Sequence, residues 1–278
     1  MQRIAIMQGR LLPPQDGRFQ CFPRGCWREE FPRAAAVGFD AIEWIYDLYG
    51  ADVNPLGSDS GIEEMQALQR QHKIDVVSVC ADYFKDRPFI TASPAEFREL
   101  ESHLIWLLNR SRLVGITRIV LPFVDASRIT TPVQETQVVE MLLDVLPHAT
   151  NAGVKIHLEA SLAPENFAAL LAKLPHPMLK VNYDSGNSSS LGYDTRCELV
   201  AYGPRIDSVH IKDRARGAGT VPLGQGDANI PALLSGLAAI DYRGDFVLEV
   251  ARGTPGEEVA WAQQNRLYLV QRLEETNR

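Results

Sequence analysis

Eight short apolar runs, each rich in Val, Ile or Leu, recur along the 278-residue chain with longer amphipathic stretches between them. They are IAIMQ (4–8), AIEWI (41–45), DVVSVCA (75–81), RIVLPFV (118–124), VKIHLEA (154–160), LKVNYD (179–184), SVHIKD (208–213) and FVLEV (246–250). Nearly continuous apolar runs suit parallel strands covered by helices better than half-exposed strands, which alternate strictly. The stretch from Ser93 to Gly115 predicts a helix, with Ser93 as cap, Pro94 at the first helical position and a terminal glycine. Thr131 to Gly153 repeats that grammar, with a bend expected at Pro147. SGIEEMQALQRQHK and TPGEEVAWAQQNRLYLVQRLEE read as helices after the second and eighth strands. Weaker helical segments follow the first (27–37), fifth (165–173), sixth (191–202) and seventh (229–240).

Eight β–α units with no composition break predict one α/β domain over 1–278, a (β/α)8 TIM barrel of eight parallel strands. An open dinucleotide-binding sheet fits less well, since MQGRLLPP offers one glycine where that turn needs three.

Composition narrows the function. Net charge is −7, which argues against nucleic acid as a partner, because phosphate binding draws on a basic face. No stretch approaches the roughly 20 apolar residues of a membrane helix, and MQRIAIMQGR has no secretory pattern. The expectation is a cytoplasmic protein acting on small molecules. Cys21, Cys26, Cys80 and Cys197 form no CxxC pair, so neither structural zinc nor a disulfide framework is expected, and Cys80 reads as core.

In such a barrel the chemistry sits at the C-terminal ends of the strands, where every second side chain points inward. The fifth strand offers Glu159 with His157 one layer deeper, and the sixth Asp184 above Asn182. The seventh offers His210 and Lys212, the eighth Glu249. Any one of these carboxylates alone could be solvated or salt-bridged. Three aimed at one mouth would repel one another unless a cation held them. Three carboxylates and one imidazole make an oxygen-rich cage suited to Mn²⁺, Mg²⁺ or Co²⁺, and less selectively to Zn²⁺.

HLEA, NYDSGN, HIKD and FVLEV, in this order and spacing, resemble the xylose-isomerase-like barrels that act as sugar-phosphate isomerases and epimerases. The likeness extends to GFDAIEWI and VPLGQGDANI and so spans nearly the whole chain. Resemblance to the ketose 3-epimerase branch implies Glu159, Asp184, His210 and Glu249 as metal ligands, with Arg216 and Glu165 as substrate-binding residues. That branch carries a histidine where this chain has Asn187, which can still hydrogen-bond a sugar but cannot carry positive charge. The implied partner is a small carbohydrate, and relatives of this kind are often homodimers or homotetramers. The implied reaction passes through a metal-bound enediolate, with Glu159 and Glu249 as the acid/base pair on opposite faces of the substrate.

Lys212 and Arg216 could hold a hydroxyl, carboxylate or phosphate, or could equally be solvated loop charges. A Schiff-base role for Lys212 is disfavoured, since neighbouring carboxylates keep an ammonium protonated. Gln8 and Arg10 could touch substrate, Glu43 could pair internally, and Trp44 and Tyr46 could pack or stack on a sugar. The stretch Gly9 to Trp27 is long enough for a lid carrying Phe19, Phe22 and Trp27. Gly224, Gly226 and Asp227 suggest a rim turn more than a phosphate cradle. Three rival functions remain: a metal-dependent dehydratase of an inosose- or dehydroshikimate-like keto compound, a three-zinc nuclease, and a non-catalytic sugar- or metal-binding barrel. The nuclease needs more strand-end histidines than this chain has.

Overall fold

Each apolar run forms a strand: β1 (Ile4–Met7), β2 (Ala41–Ile45), β3 (Asp75–Cys80), β4 (Arg118–Phe123), β5 (Lys155–Ala160), β6 (Leu179–Asp184), β7 (Ile206–Ile211) and β8 (Asp245–Leu248). The structure is a computed structural model and describes residues 2–276. The strands close into a parallel barrel in sequence order, β1 pairing with both β2 and β8. The molecule is thus a single TIM-barrel domain.

Several strand bounds shift by one or two residues from the sequence reading, and those of β7 and β8 bear on the mouth. Strand β7 starts two residues early and stops at Ile211. Beyond it the chain folds into a small antiparallel pairing of Asp213–Arg214 with Thr220–Val221, a local hairpin that strand periodicity does not foretell. Strand β8 stops at Leu248, so Glu249 sits one residue past it on the rim.

The helices follow their stop and start signals. Pro94–Val114 begins at a capping box, with Ser93 and Glu96 each serving the other's backbone N–H, and ends at Gly115 in the left-handed region. Pro132–Ala152 uses Thr131 and Gln134 in the same way and ends at Gly153. It runs through Pro147 without a break. After β6 the single expected helix is two, Ser185–Leu191 and Thr195–Tyr202. Among the described residues no helix is long and apolar enough to cross a membrane.

Alternation along each strand sorts the barrel interior into layers. At the bottom, Arg118 of β4 reaches Asp245 at 2.6 Å, and Arg3 meets the same carboxylate at 2.9 Å. In the middle, Ser208 donates to Asn182 Oδ1 at 2.6 Å, while Asn182 Nδ2 donates to Glu159 at 2.9 Å. His157 Nδ1 lies 2.8 Å from the Ser208 hydroxyl, whose one proton is already committed to Asn182; the imidazole is therefore the donor there. The buried chain His157–Ser208–Asn182 ends on Glu159 and fixes its direction.

Candidate active site

The top layer gathers the residues that the strand-end pattern aims inward. His210 is fully buried, and its Nδ1 lies 3.0 Å from Glu249 Oε2, 3.3 Å from Glu159 Oε2 and 3.9 Å from Asp184 Oδ2. Despite this company Nδ1 forms no hydrogen bond. Glu159, Asp184 and His210 each present one donor atom within 4.8 Å of the others. Glu249 is shared with Lys212, whose Nζ sits 2.7 Å from Glu249 Oε1 and 3.4 Å from Asp184 Oδ2.

The other face of the imidazole is held from across the barrel. Nε2 of His210 lies 2.7 Å from Glu43 Oε1, and Ser78 donates to the second Glu43 oxygen at 2.6 Å. Glu43 does pair internally, and its partner is the one imidazole of the mouth. A carboxylate behind a histidine fixes the ring and raises its basicity, the arrangement found behind metal-bound histidines. Sequence offered only the carboxylate on β2; the pairing across 167 residues depends on barrel closure.

The electrostatics follow from burial among like charges. Desolvation pushes the Asp184 carboxyl up to about 7, against the pull of Lys212 and with further lift from Glu159 and Glu249. Burial opposes charge on His210, yet Glu43, Glu159 and Glu249 together raise it well above the usual histidine range. Burial likewise opposes ionisation of Glu249, but Lys212 and His210 hold its carboxyl well below the ordinary glutamate range. The mouth thus gathers Glu159, Asp184 and Glu249 around His210, with Lys212 beside two of them.

Above this cluster opens a cavity of about 470 Å³ lined in part by Glu159, Asn187, Lys212, Arg214, Glu249 and Phe19. Asn187 donates to Glu159 Oε1 at 2.7 Å. The Lys212 stem crosses Gly186, where a Cβ would come within 2.6 Å of Lys212 Cγ, so the lysine needs glycine beneath it.

Other expected contacts lie elsewhere. Arg216 is exposed, its guanidinium packed over Gly192, and the arginine at the mouth is Arg214 two residues earlier; the hairpin turns Arg216 outward. Glu165 is exposed on the first turn of the helix Pro164–Ala172 and does not line this cavity. Gln8 is buried and accepts from the Ile45 N–H at 2.8 Å. Arg10 braces the rim, donating to the Val250 carbonyl at 2.9 Å and to Gln20 at 2.7 Å. Burial lowers its guanidinium to about 10 against the pull of Glu249.

The aromatic candidates resolve into packing. Trp44 sits in a cluster with Phe22 and Trp27, at ring-centre distances of 5.7 and 5.5 Å, and Tyr46 packs against Tyr83 and His103. Phe22 and Trp27 thus anchor the Gly9–Trp27 stretch in the core and cannot act as lid faces; Phe19 alone of the three is exposed and reaches the cavity. Gly224 and Gly226 donate their N–H groups to buried Asp213, at 2.8 and 3.0 Å, which makes a rim turn and leaves those donors committed.

A closed parallel barrel with buried carboxylates and a histidine at its C-terminal mouth places the chain among TIM-barrel proteins whose candidate chemistry lies at that face. The chain belongs to the xylose isomerase-like TIM barrel family, whose model matches residues 31–271. It is 24% identical over 266 residues to "Putative L-ribulose-5-phosphate 3-epimerase SgbU" of Escherichia coli K12, covering 90% of this chain and 92% of that protein. Its fold matches a solved L-ribulose 3-epimerase with a TM-score of 0.78 at 18% identity, over 100% of this chain and 96% of that one. It also matches the IOLI protein, solved with a zinc atom, with a TM-score of 0.77 at 17% identity, over 98% and 99% of the two chains. At such identities the structural likeness establishes the shared fold.

Proposed function

We propose that the protein is a divalent-metal-dependent isomerase or epimerase of a ketose or ketose phosphate. One observation carries this reading. Glu159 and Glu249 each turn Oε2 toward His210 Nδ1, and each has Oε1 held by a cavity-lining N–H group, of Asn187 and Lys212 respectively. Each carboxylate is thereby divided between the buried donor cluster and the space a substrate would fill.

The donor set fits a hard divalent cation. His210 Nδ1 is buried among carboxylate oxygens with no hydrogen bond, which is what a ligand nitrogen awaiting a cation would look like. Glu159, Asp184, His210 and Glu249 would hold the ion. Mn²⁺, Mg²⁺ or Co²⁺ suits the oxygen-rich set, and the zinc of a relative with the same fold leaves Zn²⁺ in the range. When bound, such an ion acts as a Lewis acid on a carbonyl and its neighbouring hydroxyl.

The rest of the chemistry belongs to the protein. Epimerisation removes a proton beside a carbonyl on one face and returns one on the other, so it needs two proton-carrying groups flanking the carbon. Glu249 lines the cavity with Oε1 oriented by Lys212 at 2.7 Å, and would accept the proton on one face. Glu159 is oriented by two neutral amides, Asn182 and Asn187, and serves the opposite face. Resemblance in sequence to a protein named as an epimerase supports the same class.

The test is a solvent-exchange screen over ketoses and ketose phosphates in D₂O with added Mn²⁺, read by mass and NMR. Deuterium should enter the carbon beside the carbonyl of an intact sugar, and Glu159→Gln or Glu249→Gln should each abolish it. Full exchange in either variant would remove the assignment. Growth of an enone absorbance instead would point to the dehydratase reading.

A further inference from the structure

Among the described residues three cations line the mouth cavity, Lys85, Lys212 and Arg214. Two are neutralised where they stand. Lys212 is paired with Glu249 and Asp184, and Lys85 meets Asp82 at 2.9 Å. Arg214 differs: its Nε donates to the Ala218 carbonyl and its Nη1 to Asn187 Oδ1, each at 2.9 Å. Both partners are neutral, and among the described residues Arg214 forms no ion pair. A half-buried guanidinium with two edges fixed by neutral acceptors keeps its full charge and is pre-organised to receive an anion.

We propose that Arg214 is the subsite for an anionic group on the substrate, a phosphate or a carboxylate, at the end remote from the carbon where the proton moves. The substrate is then a charged ketose derivative and not a free ketose. This deepens the epimerase reading and rests on it for the direction of the substrate. Asn187 supplies the link between the two ends. Its Oδ1 faces Arg214 and its Nδ2 donates to Glu159 Oε1 at 2.7 Å, so one amide spans from the anion subsite to the proton-transferring carboxylate. The amide also accounts for the departure from histidine at this position. A protonated imidazole beside Arg214 would repel the guanidinium, whereas the amide offers its negative end to Arg214 and its positive end to Glu159. The hairpin sets the reach: Asp213 is pinned by the N–H groups of Gly224, Gly226 and Ala228, which leaves Arg214 over the cavity and Arg216 outside it.

Equilibrium binding by calorimetry to the Mn²⁺-loaded protein tests this. The probes are L-ribulose, L-ribulose 5-phosphate and the carboxylate-bearing ketose D-fructuronate. One or both anionic sugars should bind at least about tenfold more tightly than the neutral one, the value of a charge-assisted pair, and whichever does so identifies the anion. Arg214→Ala should bring that ratio to within about twofold, and Arg216→Ala should keep the full ratio. Arg214→Lys, which keeps the charge without the fork, should retain part of it. Equal affinities in the wild-type protein overturn the proposal without recourse to any variant, and so does a ratio that survives Arg214→Ala. Deuterium exchange on the same sugars reports the epimerase reading separately. An Arg214-dependent preference without exchange upholds the subsite and refutes the epimerase, and exchange without charge preference does the reverse.

Discussion

His210 shows how much one side chain here depends on partners far away in sequence. Its ring is clamped by Glu43 on one nitrogen and faces three carboxylates on the other. Glu43→Gln keeps the shape of the clamp and removes its charge. It should weaken Mn²⁺ binding by about 10–100-fold, with the fold retained by circular dichroism; unchanged affinity would show Glu43 to be purely structural. At this scale the strand-end donors were legible because inward positions repeat every second residue, so Glu159, Asp184 and His210 could be placed from strand assignment alone. Glu249 was placed too, although it stands just past its strand. Arg214 was not, because the chain leaves strand geometry after Ile211 and a hairpin has no such period. The serine of the His157–Ser208–Asn182 relay was also missed, since an inward serine in an apolar run carries no signal until its neighbours are known.

Elements behaved as their boundary chemistry dictates where that chemistry is local. Ser93 with Glu96 and Thr131 with Gln134 are capping boxes readable from sequence, and both helices begin there. Ser93→Ala and Thr131→Ala should each lower stability by about 1 kcal/mol, seen as a melting shift of about 2–4 °C for a chain of this size. The long stretch after β1 reads in sequence as a lid carrying Phe19, Phe22 and Trp27, but only Phe19 reaches the cavity and the rest of the stretch is anchored. Arg252 donates to the carbonyls of Phe19 and Leu12 at 3.1 and 2.8 Å and also holds Gly9, while Phe22 and Trp27 are sunk in the core. That anchoring comes from the far end of the chain, beyond any local pattern. Arg252→Ala should therefore open this stretch to limited proteolysis between Gly9 and Phe22, whereas the wild-type protein should resist cleavage there; equal resistance would contradict the bracing role.

At the scale of the whole molecule the barrel separates a positively stapled floor from a negatively charged mouth. On the floor, burial alone would raise the Asp245 carboxyl, but the charges and hydrogen bonds of Arg118 and Arg3 hold it below the ordinary aspartate range. A depressed carboxylate stabilises the fold fully above its unfolded pKa, and that contribution fades as pH falls through the lower folded value. Acid unfolding of the wild-type protein should accordingly steepen only beneath about pH 4. Asp245→Asn should cost about 3–5 kcal/mol at neutral pH, because it strands buried Arg118, and should remove that acid step. At the mouth the balance is reversed: carboxylates cluster there, and the proposed function places a divalent cation among them. Titration of metal-free protein with Mn²⁺ by calorimetry is the direct test of that claim. One ion per chain in the wild-type protein, lost in Asp184→Ala and in His210→Ala, is the predicted result. No binding, or binding that both variants retain undiminished, would contradict it.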